Sequence, residues 1–274
     1  MKRAILLIIF FCLGLSPAIA APRYISLAPS TTEILFALGL NERIVGVSTY
    51  CNYPLETKTK TRVGDFSHPN IEKIIFLKPD YIFCTGLEQA PVVERLRQLK
   101  FNVYVADPSS IKELFATIKE IGKITDKEKT SEELIRNMRA DIEAVSLKVR
   151  GITPEKKVKV FIEIWHEPLM TAGKNSFVDE LITLAGGINV AHGIQRPYST
   201  FSSEKVVKLN PGCIIMAYMD KEPPLKLIQG RFGWSEIDAV KNKRVFNDIN
   251  PDTLLRPGPR ITEGLKALFK KLYP

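Results

Sequence analysis

Histidine is scarce in this chain. His68, His166 and His192 are the only three in 274 residues, and no two stand at metal-ligand spacing. A protein that grips Zn or Mn directly shows denser clustering of His with acidic residues, so no metal ligand set is expected. Hydrolase signatures are missing too: neither G-x-S-x-G nor H-E-x-x-H occurs, which disfavours an exported enzyme. Four cysteines without a C-x-x-C pair argue against a cysteine-built metal or redox site. Basic residues form no runs interleaved with aromatics, so nucleic acid is not an expected partner. Beyond the first twenty residues no apolar stretch approaches the length of a membrane span. What remains, 45% hydrophobic and 25% charged residues, is ordinary for a globular chain with room for two lobes.

The N-terminus departs from that background. Lys2 and Arg3 precede an almost unbroken apolar run over 4–15, followed by Ser16-Pro17-Ala18-Ile19-Ala20. A basic start, a short apolar core and small residues at the end describe a secretory signal, with cleavage expected after Ala20. About a dozen apolar residues cannot cross ~30 Å of hydrocarbon. Phe10-Phe11 before Cys12 are too bulky for lipoprotein processing. The mature protein is therefore expected outside the cytoplasm, with its formal charge of +9 lowered by two to +7. It keeps Cys51, Cys84 and Cys213, an odd number, so at least one thiol stays free or pairs with another molecule. Cys84 and Cys213 lie in or beside strand-like runs and read as small buried hydrophobes.

From residue 24 short apolar runs alternate with amphipathic segments. Strands are expected at 24–28, 44–48, 81–85 and 102–106, and helices at 30–38, 71–77, 91–99 and 111–121. Ser30 or Thr31 is the expected cap of the first helix. Residues 127–150 read as one long polar helix with a narrow apolar stripe of Leu134, Met138, Ile142, Val145 and Val149, reaching about 36 Å. Alternation then resumes, with strands at 158–165, 213–218 and 244–249 and helices at 177–185, 203–209 and 259–272. The expected fold class is α/β: two βα lobes with mostly parallel central sheets, joined by a spacer helix, with a ligand cleft between them. The divisions fall at 1–20 for the signal, 21–125 for the first lobe, 126–151 for the spacer and 152–274 for the second lobe.

Residues 71–82 and 203–214 echo each other at an offset of 132. Each reads Glu-Lys, two apolar residues, a Leu two positions on, a Pro two further, then a strand. Glu72 and Glu204 thus stand near the N-termini of matched helices, off the face that packs on the sheet. Either alone reads as helix-end electrostatics. Two at equivalent places in two lobes read as a two-point plug for basic sockets on a partner. Six residues before each Glu stands an aromatic, Phe66 and Tyr198, able to clamp a flat ligand from both sides.

The whole mature chain resembles the helical-backbone class of periplasmic binding proteins, and within it the corrinoid binders most. The matching stretches are Ile25-Ser26-Leu27-Ala28-Pro29-Ser30-Thr31-Thr32-Glu33, Val47-Ser48-Thr49-Tyr50-Cys51-Asn52-Tyr53-Pro54, Leu77-Lys78-Pro79-Asp80, Thr171-Ala172-Gly173-Lys174 and Arg256-Pro257-Gly258-Pro259-Arg260. The resemblance implies a periplasmic monomer that delivers cobalamin or a related corrinoid to an ABC importer's permease dimer, with no catalytic residues and no resident cofactor. It implies that Glu72 and Glu204 salt-bridge to permease arginines, and that the cleft opens only slightly. It implies ligand contacts at Tyr50, Phe66, Tyr198, Asp252 and Arg256. Trp165, at the end of a second-lobe strand, joins that set by position. Family members often carry Trp where Phe66 and Tyr198 stand, and Leu255 replaces an acidic residue. Ferric-siderophore and haem binders share the class, and for such anionic cargo Arg196, Arg231, Arg256 and Arg260 are the expected counter-charges. His166 is a candidate axial ligand to a bound cobalt or iron.

Overall fold

The computed structural model describes residues 21–218 and 224–274. The expected signal segment and its cleavage site lie outside the described residues.

The first lobe runs β1 (Tyr24–Ser26), α1 (Pro29–Ala37), β2 (Ile44–Val47), β3 (Thr61–Arg62), α2 (Ile71–Leu77), β4 (Tyr81–Cys84), α3 (Ala90–Gln98), β5 (Val103–Val105) and α4 (Ile111–Ile124). Its five strands are ordered β3-β2-β1-β4-β5, all parallel. Helix α1 begins one residue earlier than the sequence suggests. Pro29 occupies its first turn, where a missing N–H costs nothing. Neither Ser30 nor Thr31 caps it; Ala28 is the cap, and Thr31 and Thr32 turn back to its carbonyl at 2.9 and 3.0 Å.

Helix α5 (Glu128–Val149) is the spacer. Met138 and Val145 on its stripe are buried, and Leu134, Ile142 and Val149 pack against the same cluster. That cluster holds residues of both lobes, from Tyr24 and Phe83 to Ile162 and Leu265, so one apolar core continues through the strut. Each large aliphatic side chain buried there contributes about 1.5–3 kcal/mol.

The second lobe runs β6 (Lys159–His166), β7 (Leu169–Ala172), α6 (Phe177–Leu184), β8 (Ile188–Asn189), β9 (Tyr198–Thr200), α7 (Ser203–Leu209), β10 (Cys213–Met216), α8 (Pro224–Ile228), α9 (Asp238–Lys241), β11 (Val245–Phe246), α10 (Asp252–Leu255) and α11 (Ile261–Leu272). Its strands follow the order β11-β10-β6-β7-β9, with β8 on β6. Here the sheet is mixed: β7 runs antiparallel to both β6 and β9. The alternation pattern did not reveal β7, β8 or β9, and Tyr198, expected in a loop, opens β9.

The echo between the lobes extends to the backbone. Asn70 caps α2 by accepting from the Lys73 N–H, and Ser202 caps α7 by accepting from the Lys205 N–H. Both helices end on a left-handed residue, Lys78 at φ 45° and Asn210 at φ 46°. Ile74 and Val206 are buried at the same step.

Candidate functional site

A cleft of about 560 Å³ opens between the lobes, within the range of small-molecule sites. Its first-lobe wall comes from Ala28, Pro29 and Ser30 after β1, and Thr85 and Gly86 after β4. These are the carboxyl ends of adjacent parallel strands whose connections depart to opposite sides, where open α/β sheets bind ligands. Asn175 and Ser176 after β7, with Leu255 and Arg256 at the end of α10, form the facing wall.

Phe66 and Tyr198 both line this space, one from each lobe. The Tyr198 ring is 43% exposed, yet crowding by the cleft wall pushes its hydroxyl above the usual phenol range, and the negative charges of Asp107 and Glu88 push the same way. Gln89 fixes the Phe66 loop, donating from its amide to the Phe66 carbonyl at 2.7 Å while accepting from the Thr85 N–H at 2.9 Å. Gly86 leaves room for the Asp107 carboxylate, which a Cβ there would strike. The sequence reading missed Glu88, Asp107 and Asn175; each follows a strand end, a positional signal that applies to many loop residues and singles out none.

Of the remaining expected contacts, Arg256 lines the cleft, and Tyr50, Trp165 and Asp252 lie outside its lining. Tyr50 is 60% exposed and lies off the cleft lining. Trp165 is 48% exposed at the β6–β7 turn, its indole N–H donating to the Glu167 carbonyl at 2.9 Å and its ring 5.1 Å from His166. His166 rests against Tyr218, and no group of three metal-ligating side chains exists among the described residues. Asp252 stands behind the lining and holds Arg256 by a 2.9 Å ion pair.

Arg256 belongs to a buried ion network that crosses between the lobes. Glu33 on α1 accepts two hydrogen bonds from Arg260, at 2.9 and 2.6 Å. Arg256 donates to Asn52 Oδ1 at 2.6 Å and lies 3.7 Å from Glu33. The Arg260 guanidinium sits 3.8 Å from the centre of the Tyr53 ring, a cation–π contact. Burial lifts the Glu33 carboxyl above the ordinary range, against the pull of Arg260 and Arg256. Two acids and two arginines leave this network formally neutral.

Arg231, another expected counter-charge, is also spoken for. It forks onto Glu163 at 2.7 and 2.8 Å, and Tyr218 donates to the same carboxylate at 2.7 Å. Of the four arginines expected to neutralise an anionic cargo, Arg231 and Arg260 are committed inside the protein and do not line the cleft. Arg256 lines it with its charge already compensated. Arg196 is exposed and lies outside the lining.

Glu72 and Glu204 are both exposed. The Ser202 hydroxyl donates to Glu204 at 2.6 Å, and that bond holds the Glu204 carboxyl below the usual range, so it stays ionised. All three cysteines of the described chain are buried and free, and burial pushes Cys84 and Cys213 up to about 12.

Similar proteins share this architecture. An uncharacterised ABC transporter substrate-binding lipoprotein, YvrC, of Bacillus subtilis is 36% identical over 92% of this chain and 80% of its own length. A vitamin B12-binding protein of Vibrio vulnificus is 32% identical over 95% of this chain and 93% of its own. Among solved structures, a possible iron-binding periplasmic solute-binding protein from Staphylococcus epidermidis matches with a TM-score of 0.80 and 34% identity, covering 92% of this chain and 98% of that one. The haem-binding protein RhuT of Roseiflexus matches with a TM-score of 0.81 and 26% identity over the same shares. The periplasmic binding protein family itself matches residues 25–250, and this chain is a member of it.

Proposed function

We propose that this protein is the extracytoplasmic capture component of an ABC importer and that its cargo is cobalamin or a related corrinoid. Transport relatives in place of enzymes support the first half. The charge of the cleft carries the second. Among the described lining residues Arg256 is the one basic side chain, already paired, while Glu88 and Asp107 add negative charge. Such a cleft offers no surplus cation to a dianionic haem or a polyanionic ferric chelate. It suits an uncharged macrocycle whose amide edges meet Ser, Thr and Asn while its flat face lies between Phe66 and Tyr198. The haem reading keeps one point in its favour, since that aromatic pair would accept a porphyrin equally well.

Titration of the protein with cyanocobalamin, cobinamide, haemin and a ferric chelate, followed by absorbance and calorimetry, separates the readings. Saturable binding of the first two is expected. Saturation by haemin alone would sink the corrinoid assignment and leave the transport role standing.

Glu72 and Glu204 are the docking points in this reading. The cleft-lining aromatics Phe66 and Tyr198 precede them by six residues each, one pair in either lobe, which supports reading the exposed carboxylates as matched docking points. Reversing both charges, Glu72→Arg with Glu204→Arg, is expected to abolish uptake while leaving ligand affinity unchanged.

A further inference from the structure

Phe232 is 95% exposed and Phe76 is 83% exposed, the two highest values among the large hydrophobic side chains described. Both lie beside the docking glutamates. Phe76 sits four residues after Glu72 on α2, and Ile75, three after it, is 49% exposed. Residues three and four apart share a helix face, so these three form one patch. In the second lobe the position matching Phe76 is Lys208, and the aromatic arrives from a different segment. A Cβ on Gly233 would stand 3.4 Å from Val207, one turn after Glu204, so the chain carrying Phe232 runs along α7 there.

Phe232 is held outward by its neighbours. Arg231 is forked onto buried Glu163. The Trp234 indole N–H donates at 2.6 Å to Ser203, the residue before Glu204. With both flanks tied into the lobe, the ring between them projects. Lys73 and Lys205, adjacent to the glutamates, fold back onto their own lobes, one toward the Arg62 carbonyl at 3.4 Å and the other toward the Phe201 ring at 5.9 Å. Each lobe thus presents an exposed carboxylate with an exposed phenyl ring close by, and in the second lobe Lys208 shares the helix face with Glu204.

We infer that Phe76 and Phe232 are the apolar anchors of the permease-docking surface, each seated beside its glutamate in a permease socket that pairs a basic side chain with an apolar wall. The inference rests on the docking role proposed for Glu72 and Glu204 and adds to it. Two separated surface ion pairs contribute little in water. A ring buried beside each one supplies contact area and strips water from the pair, as an interface hot spot does. An anionic lipid surface is the poorer occupant, because it repels the two carboxylates.

The test uses the host's corrinoid importer, permease dimer with its ATPase subunits, in nanodiscs. Phe76→Ser and Phe232→Ser should each weaken docking at least about tenfold, with ligand affinity and melting temperature unchanged because both rings are solvent-exposed. Docking of the double variant within about twofold of wild type overturns the inference. So does an equal loss on protein-free nanodiscs, which would mark a membrane contact, or a wild-type dimer in sedimentation that Phe76→Ser dissolves, which would mark self-association. Full docking by the Glu72→Arg, Glu204→Arg protein sinks the parent reading. Loss there with none in the phenylalanine variants sinks this inference alone. A wild-type chain that does not bind the nanodiscs overturns both.

Discussion

Glu33 shows how much of a binding protein's geometry can hang on one buried carboxylate. It is 4% exposed and lies 227 residues from Arg260, whose guanidinium it accepts in a two-bond fork. Taking both charges out of water is expensive, and their attraction offsets the cost only while both are present. Glu33→Gln is therefore expected to destabilise the protein by about 3 kcal/mol, read in urea unfolding, because Arg260 keeps its charge and loses its main partner. Combining Glu33→Leu with Arg260→Met should restore much of that loss. If the double variant is no better than the single one, the damage comes from packing and not from a stranded charge. Neither residue's part was legible in the sequence. Glu33 and Arg260 stood in quotable motifs, but a partner at such separation leaves no trace in periodicity or spacing.

The elements best read in advance were those with a local cause. Helices α2 and α7 appeared at the expected limits, since a side-chain cap opens each and an apolar step fixes its buried face. The spacer α5 came within one residue at each end, because five apolar positions recur along it. Strands β7, β8 and β9 were missed because runs of two to four residues hold too few side chains to show a period, and their pairing partners lie far along the chain. The αL caps were missed for a related reason: Lys at position 78 gives no hint of φ 45°. A Cβ in that region costs roughly 1 kcal/mol, and Asn tolerates it better than Lys. Lys78→Gly should accordingly raise stability by about 0.5–1 kcal/mol, whereas Asn210→Gly should give no gain, because Asn tolerates the conformation better and its Oδ1 also accepts from the Asp238 N–H at 2.8 Å. Equal gains in thermal unfolding would remove the argument from side-chain chemistry. The strut carries a pH signature as well. Asp141 on α5 accepts from Lys266 Nζ at 2.6 Å and from the Thr262 hydroxyl at 3.0 Å, both on α11, and the Lys266 bond foremost holds its carboxyl below the usual carboxylate range. A folded pKa below the unfolded one contributes stability that is present above about pH 4 and is lost as pH falls through the folded value. Wild type should exceed Asp141→Asn in stability at neutral pH, and the two should converge in strong acid.

On the scale of the whole molecule, what matters is how firmly the two lobes are tied across the cleft. Glu33 and Asn52 of the first lobe reach Arg260 and Arg256 of the second. On another part of the lobe boundary, the Ile111 N–H at the start of α4 donates to Glu180 of α6 at 2.8 Å. The apolar core runs unbroken through α5 between them. Opening the cleft by a wide rotation would break the buried ion pairs and expose part of that core, whereas a shift of about 1 Å leaves both intact. Ligand binding is therefore expected to move the lobes little. Spin labels on cysteines introduced at exposed Lys119 and Asn242 report this directly, because Cys51, Cys84 and Cys213 are buried and do not compete. Adding saturating ligand should shift the inter-label distance by no more than about 2 Å. The Glu33→Gln variant should broaden the ligand-free distribution and narrow it again on binding, since ligand seated against Phe66 and Tyr198 bridges both lobes when the ion pair no longer does. A wild-type shift on the order of 10 Å, as hinge closure of whole domains produces, would mean that the ion network forms only after capture.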